Sequence, residues 1–569
     1  MRIKTTFLII TLFFLLLFLR LANLQIMHGK VYRSLSQRNC IRLLPQEGIR
    51  GAILDSEERI IADSSLAYDL MVLADIKEIP EESLKEMAAI LETDIKDLKP
   101  ELKKRRSLSF IPLTLVEKLD IKKAFALEEL KSQLGNVVIQ PSSIRTYPYN
   151  QLACHVLGYL NEIDRSRLKK LSDYGYKSQD LIGFGGIEEE YDKDLRQEEG
   201  GLSVEVDHRG RFVRALGFKP PINGKKVQLT LDLRLQQLAE KCLGERTGSI
   251  VVMDPQDGAI KAMVSSPGFN PGIFIDRSNQ QLRRLLNNPD APLINRAISS
   301  SYPAGSIFKI VVAAAALETG KINLSTTFTC PGSIKMGNLE FGCWNKHGPV
   351  NLLSAIKYSC NVFFYRVGLL VGAQIIHDYA LKFGFSKPTG IDLPYENTGF
   401  VPSPLWKRFS KLKNWYDGDT LNLSIGQGDL LVTPLQVARM MAVFANKGVL
   451  VDPYIVKAIQ DEKVPVSKGR TLNLKKTTLE YIRAGLKKVV SDQGATAHVL
   501  ADLGVDVAGK TGTAQVGRDK EPHGWFAGFL PFAEPKFVIC VFLEYGKTGY
   551  AASLVGKQLI ADMLKEGFI

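Results

Sequence analysis

Cysteine is scarce in this chain, with seven in 569 residues. That scarcity excludes a disulfide-stapled scaffold, and the odd number leaves at least one thiol outside any internal bridge. Glycine and proline follow no period, which excludes a fibrous chain. There is no internal repeat, and no low-complexity segment apart from one apolar run at the N-terminus. Acidic residues are in the minority: 60 Asp and Glu against 73 Lys and Arg give a net charge of +13. A basic balance suits an anionic neighbour such as nucleic acid, a membrane surface or an acidic polymer, without choosing among them. What is present is an ordinary folding composition, 45% hydrophobic and 23% charged. That excludes wholesale disorder, and the length predicts more than one domain.

The single apolar run sets the compartment. Arg2 and Lys4 precede Phe7 to Leu19, whose only polar member is Thr11; Arg20 interrupts, and Leu21, Ala22, Leu24, Ile26 and Met27 continue. The unbroken core is shorter than the roughly 20 residues a spanning helix needs. Arg20 sits near one end, however, and can reach the headgroups. A cleaved signal peptide opens the same way, but no A-x-A-like site follows. The sequence therefore predicts an uncleaved anchor over residues 1–27, with Arg2 and Lys4 in the cytoplasm and the rest of the chain outside it.

Residues 28–240 hold mixed, mostly polar segments. Pro80 to about Leu134 reads as helical, on apolar positions at Leu84, Met87, Ala88 and Leu91. Lys103 to Arg106 form a basic run that reads as a solvated face. Val227, Leu229 and Leu231 alternate as in a half-buried strand. Beyond about residue 241 the pattern changes. Ser249–Asp254 and Ala259–Val264 flank an Asp-Gly turn, and Trp525–Leu530 and Phe537–Leu543 flank Ala533–Lys536. Both read as hairpins. Two hairpins with a long helical stretch between them predict one sheet built from both ends of the region, an α+β arrangement.

Three short motifs carry chemistry. Ser306-Ile-Phe-Lys309 follows the breaker cluster Tyr302–Gly305 and opens an apolar helix, so Ser306 and Lys309 lie one turn apart on one face. A serine hydroxyl needs a base before it attacks. A lysine serves if burial and a nearby cation lower its pKa. Ser359-Cys360-Asn361 lies about fifty residues on, and Lys510-Thr511-Gly512-Thr513 about two hundred residues on, just before the second hairpin. Each triplet alone is commonplace, but the ordered set is not.

That set resembles the serine penicillin-recognising enzymes, the penicillin-binding proteins and serine β-lactamases. Arg50–Asp55, Arg145–Pro148, Gly185–Glu188 with Tyr191, Thr230–Asp232, Asn295–Ala297 and Ser424–Gly428 are similar to segments of class B penicillin-binding proteins. The likeness is greatest to the elongation-type members. It runs past the anchor nearly to the end and is weakest over about 75–140. It implies a non-catalytic pedestal of the dimerisation type over 28–240, with a helical insertion at about 75–140. It also implies a transpeptidase domain over 241–569, an antiparallel sheet flanked by helices. The implied reaction is acyl transfer between peptidoglycan stem peptides ending in D-Ala-D-Ala, inhibited by β-lactams. Ser306 would be the nucleophile, Lys309 the base, and Ser359 the relay to the leaving amine. Asn361 would hold the substrate amide and Lys309. Lys510 would supply positive potential, with Thr511 and Thr513 binding the terminal carboxylate and Gly512 admitting close approach. The amides of Ser306 and Thr513 would form the oxyanion hole. No cofactor is needed for that chemistry. The expected partners are a membrane glycosyltransferase of the elongation machinery with its regulators, and not nucleic acid.

Cys330, Cys343, His347 and Cys360 are spaced C-x12-C-x3-H-x12-C between the first two motifs. Such a set can close a structural zinc site, and the resemblance implies zinc at matching positions in some elongation-type members. A Cys330–Cys343 disulfide and a merely buried Cys360 are the alternatives. Cys40, Cys154, Cys242 and Cys540 read as single buried residues, and His155 and His523 as structural. A secreted β-lactamase fits poorly with the anchor and the long N-terminal region. A bifunctional synthase would need an added glycosyltransferase domain. A β-lactam sensor would need several spans. A division-type transpeptidase is the hardest alternative to separate.

Overall fold

The computed structural model describes residues 2–72, 81–95, 113–130, 137–178, 180–206, 212–276, 279–517 and 519–569. The chain forms two compact units that interleave in sequence. One comprises residues 1–51, 64–145 and 196–225, and the other 52–63, 146–195 and 226–569.

The first unit begins with a helix over Arg2–Ala22, continued by Asn23–Met27. Residues 3–27 are long and apolar enough to cross a membrane, and none of the window is buried by protein. A three-stranded antiparallel sheet places Gly200–Val206 between Ile41–Gln46 and Phe212–Lys219. Strand Ile60–Val72 pairs with Leu113–Leu119 and with Val137–Thr146. Helices Glu81–Leu91 and Ile121–Glu129 accompany these strands, and Leu70, Leu84, Met87, Leu91, Leu119, Leu127 and Val137 share one core. The expectation of continuous helix from Pro80 to Leu134 needs correction. Leu84 to Leu91 is helical as read, but Leu113–Leu119 is a strand, its backbone captured by Ile60–Val72. Tertiary pairing overrides a weak local preference there. The basic run at 103–106 lies outside the described residues.

The second unit carries the chemistry. Helix α1 (Leu233–Leu243) is capped by Asp232, whose carboxylate accepts from the amides of Arg234 and Leu235. Strands β1 (Gly248–Met253) and β2 (Ile260–Ser266) form the first expected hairpin. The long middle segment supplies helix α2 (Lys309–Glu318), a small hairpin β3 (Ser333–Met336) and β4 (Leu339–Gly342), and helices α3 (Leu352–Lys357) and α4 (Asn361–Val371). Helices α5 (Pro404–Ser410), α6 (Asp417–Ser424), α7 (Pro434–Ala445) and α8 (Lys476–Ser491) follow. Strands β5 (Ala508–Ala514), β6 (His523–Leu530) and β7 (Phe537–Leu543) and helix α9 (Gly549–Lys565) close the chain. The five long strands form one antiparallel sheet in the order β2-β1-β7-β6-β5. Both hairpins therefore join in one sheet, with the helical segment inserted between them.

All residues of β1, β6 and α7 are buried, so these elements read as continuous apolar runs rather than alternating ones. α7 starts at Pro434 behind a capping box in which Thr433 and Gln436 exchange hydrogen bonds. α1 and α9 pack together against the sheet. α2 is buried from Lys309 to Leu317, including Ala313–Ala316, and the small alanines let α4 and the helix over Ala373–Lys382 approach it. That places an ionisable side chain, Lys309, at the mouth of an otherwise apolar helix.

Candidate active site

Three segments distant in sequence meet beside β5, the edge strand of the sheet. The first is the turn before α2. Ser306 lies in a separate 3₁₀ turn, Gly305–Ile307, and α2 proper begins at Lys309. The break comes from Gly305, which is left-handed at φ 55° and donates its amide to the Gly426 carbonyl at 2.9 Å. A Cβ on Gly305 would lie 2.6 Å from the Thr513 oxygen, and one on Gly426 would lie 2.0 Å from the Gly305 oxygen. Only glycines at both positions let the serine turn sit directly on β5.

The second segment is the link between α3 and α4. Ser359 is buried and left-handed at φ 54°, a conformation that costs a non-glycine residue about 1–3 kcal/mol and is retained at sites that need it. Asn351 and Ser354 form the capping box that starts α3, and Cys360 caps α4, so the strained residue is clamped from both sides. Lys309 is completely buried and reaches across to this link. Its Nζ lies 2.7 Å from Ser359 O and 2.7 Å from Asn361 Oδ1, and 3.2 Å from Ser359 Oγ. The first two partners can only accept. They therefore take two N–H groups, and Ser359 Oγ accepts the third N–H of the ammonium form, the position that becomes the lone pair when the amine is neutral. Asn361 is fixed the right way round because its Nδ2 donates to the Gly342 carbonyl at 3.1 Å.

The third segment is β5 itself. Lys510 is completely buried, with Nζ donating to Thr511 O at 2.9 Å. Thr511 Oγ1 and Thr496 Oγ1 share a hydrogen bond of 2.8 Å. Thr513 is exposed, and its Oγ1 accepts from the Gly549 amide at 3.0 Å, which leaves its hydroxyl proton to donate elsewhere. A Cβ on Gly512 would lie 3.0 Å from Ile307 Cγ1 and 3.1 Å from Ala304 O, so this glycine is required by the serine turn beneath it. Desolvation pulls the pKa of Lys309 down to about 7. Lys510 is likewise held well below the usual lysine range, first by desolvation and then by Lys309. Burial and mutual repulsion thus prevent the pair from carrying two charges near neutrality.

Every residue singled out from the motifs falls in this one site. Three contributors carried no sequence signal: the Gly342 carbonyl, Thr496, and Phe364, whose ring centroid lies 5.6 Å from Lys309 Nζ.

Cys330, Cys343, His347 and Cys360 converge behind the link, with one donor atom of each lying within 4.8 Å of the others. Cys330, Cys343 and Cys360 are free thiols, so the structure does not form the Cys330–Cys343 disulfide considered above. His347 Nδ1 is 3.6 Å from both Cys330 Sγ and Cys343 Sγ, about the nitrogen–sulfur edge of a tetrahedral zinc site. The amides of Asn361 and Phe363 point at Cys343 Sγ (3.2 Å) and Cys360 Sγ (3.5 Å), as suits thiolates. The donor set and its spacing fit zinc. Cys154, Cys242 and Cys540 are buried singly, and the Cys40 side chain lies outside the described residues. His155 Nε2 bonds the Pro292 carbonyl at 2.6 Å, and His523 Nδ1 accepts from the Tyr545 amide at 3.0 Å, both structural roles.

Comparison with known proteins agrees with this geometry. The family model for the penicillin-binding protein transpeptidase domain matches residues 248–565, and that for the penicillin-binding protein dimerisation domain matches 45–229. The peptidoglycan D,D-transpeptidase MrdA of Acinetobacter baumannii is 32% identical over 566 residues, covering 95% of this chain and 84% of the relative. The penicillin-binding protein PBP2 of Helicobacter pylori, solved in complex with MreC, matches with a TM-score of 0.82 at 30% identity, over 94% of this chain and 100% of its own. A chain of a peptidoglycan synthase complex, solved in a study of coordinated polymerization and crosslinking, matches with a TM-score of 0.73 at 30% identity over 98% of both chains. With both family models and near full-length relatives in agreement, the chain belongs to the class B penicillin-binding proteins, in the elongation-type penicillin-binding protein 2 group.

Proposed function

We propose that this chain is a serine D,D-transpeptidase that cross-links peptidoglycan stem peptides during cell elongation. The observation that carries the reading is Lys309: a completely buried amine with a pKa of about 7, bonded to both functional residues of the Ser-x-Asn link. Ser306 Oγ attacks the carbonyl carbon of the penultimate D-Ala and its proton passes to Lys309 Nζ. The amides of Ser306 and Thr513 hold the oxyanion. The C–N bond to terminal D-Ala then breaks, and Ser359 delivers a proton to the departing amine. An amine of a second stem peptide attacks the ester and passes a proton to Lys309 Nζ, the Ser306 Oγ–C bond breaks as Lys309 returns that proton to Oγ, and an amide forms. Thr511 and Thr513 bind the terminal carboxylate of the donor. That anion also stabilises an ammonium on Lys510, which burial alone disfavours. A β-lactam acylates Ser306 in the same way, because opening its ring leaves the amine tethered. Labelling with a fluorescent penicillin, and mass spectrometry placing the adduct on Ser306, tests the reading; an adduct elsewhere would overturn it.

Further parts of the reading rest on this one. Cys330, Cys343, His347 and Cys360 hold one zinc in a closed structural site that braces Ser359 and Asn361. The N-terminal helix is a single-pass anchor in the inner membrane, with the catalytic unit outside the cytoplasm. Residues 28–240 act as a non-catalytic pedestal that engages a membrane glycosyltransferase and its regulators, and 241–569 as the transpeptidase domain. The similar structures, PBP2 of Helicobacter pylori in complex with MreC and a chain of a peptidoglycan synthase complex, support partners of this kind.

A further inference from the structure

The mechanism leaves one wall of the cleft unused. β5 receives the donor peptide, so the second stem peptide must approach from the side of Asn361. That side carries an unusual surface. Trp344 follows Cys343 and is 58% exposed, yet its indole is fixed, because Nε1 donates to the carbonyl of Tyr358, the residue before Ser359, at 2.8 Å. An aromatic face held open beside a catalytic link is a stacking platform.

The surface continues through Phe341. Its ring meets Tyr365 edge-on with centroids 5.8 Å apart, and a Cβ on Gly418 would lie 3.3 Å from its tip. Gly418 lies in the first turn of α6, and directly before α6 lies Pro404–Tyr416. That segment has four basic residues, Lys407, Arg408, Lys411 and Lys413, and no acidic one. Its two tryptophans turn inward: Trp406 packs on Phe400 at 4.6 Å, and Trp415 Nε1 donates to Thr420 Oγ1 at 2.8 Å. Phe409, Leu412 and Tyr416 turn outward and are 73%, 87% and 66% exposed. Lys407 and Lys411 pair with Asp419 and Asp429, whereas Arg408 and Lys413 form no ion pair among the described residues. A large exposed apolar patch with unpaired positive charge marks a binding face for an anionic partner with apolar faces.

We propose that Trp344 and the segment Pro404–Tyr416 form the acceptor-strand wall: a binding face for a glycan strand with carboxylate-bearing stem peptides. Sugar rings and stem side chains lie on Trp344, Phe409 and Tyr416, and Arg408 and Lys413 meet the carboxylates. This inference rests on the transpeptidase reading above for the identity of the strand. The continuity with Asn361 favours a strand over a lipid surface, which the test also examines.

The test compares acceptors. Full-length protein is supplied with uncross-linked glycan strands carrying pentapeptide stems, and separately with a small donor peptide plus free D-alanine as acceptor amine. In Arg408→Glu/Lys413→Glu and in Tyr416→Ala, cross-linking of strands falls at least fivefold, with a raised KM for the strand. Acylation by fluorescent penicillin and exchange onto D-alanine stay within twofold of wild type. Wild-type strand cross-linking weakens with added salt while D-alanine exchange does not. The same charge reversal in Ser306→Ala protein weakens co-sedimentation with the strands at least fivefold, which reads the wall without the chemistry. Strand use that falls only in step with D-alanine exchange overturns the proposal. So does unchanged co-sedimentation, or loss of binding to phosphatidylglycerol vesicles with strand cross-linking intact. Failure of wild-type protein to acylate with penicillin would instead overturn the transpeptidase reading.

Discussion

Lys309 is asked to be both buried and basic, and its neighbours reconcile the two. Ser359 O and Asn361 Oδ1 take two of its N–H groups, Ser359 Oγ accepts the third while it is an ammonium, and burial brings its pKa to about 7. The reacting form is the neutral amine, so the rate of penicillin acylation should fall about tenfold per pH unit below 7 and level off above it. A rate flat from pH 5 to 8, in rapid-mixing measurements, would contradict a base role. The same shift has a stability consequence. An unfolded lysine keeps its proton to about pH 10.4, whereas folded Lys309 releases it near 7. The unfolded state thus binds more protons across that interval, and this residue's contribution to stability rises with pH there. Lys309→Arg should slow acylation at least about a hundredfold, because a guanidinium does not give up its proton. Ser306→Ala should abolish the adduct altogether while keeping the wild-type melting curve, since its side chain lies only half-buried at the rim of the site.

At the scale of elements, the site depends on how closely one turn, one link and one strand approach. Gly305 and Gly426 touch backbone to backbone. Gly426→Ala should therefore push the serine turn off β5. We expect a loss of about 1–3 kcal/mol, visible as a melting point lower by several degrees, with acylation slowed at least tenfold. Acylation at the wild-type rate would mean that the turn seats itself without this contact. The Cys330–Cys360 cluster holds the other side of the site. If it binds zinc, protein purified without added metal should contain about one zinc per chain. Chelation should then lower the melting temperature and the acylation rate together. Less than about 0.1 zinc per chain, with a full thiol count after denaturation, would end that proposal.

For the whole molecule, the charge and the apolar helix act at different places. Removing residues 1–27 should yield a protein that no longer sediments with membranes but acylates with penicillin at the full-length rate, because every residue of the site lies in the second unit. A truncated protein that failed to acylate while melting normally would show that the anchor reaches the chemistry. The two units interleave, with residues 52–63 and 146–195 belonging to the unit that bears the site. Deleting 28–240 as a block would therefore strip strands from that unit, so partner binding by the pedestal is better tested by surface substitutions within the first unit.

The sequence by itself determined what depends on residue type and spacing. The anchor, the two hairpins and the three motifs rest on periodicity, turn chemistry and the needs of acyl transfer, and each of those is written locally. Apolar helix α2 was equally legible, because complete burial leaves a continuous apolar run. Only the tertiary structure decided what depends on approach. The strand at Leu113–Leu119 exists because a partner strand captures it. Ser306 stands in its own turn because Gly305 meets Gly426. Ser359 holds a left-handed backbone because α3 and α4 clamp it. Lys309 has a lowered pKa because burial desolvates it. A pKa, a strained φ and a contact between residues fifty to two hundred positions apart are properties of packing, and packing is fixed by all the neighbours at once rather than by any stretch of chain.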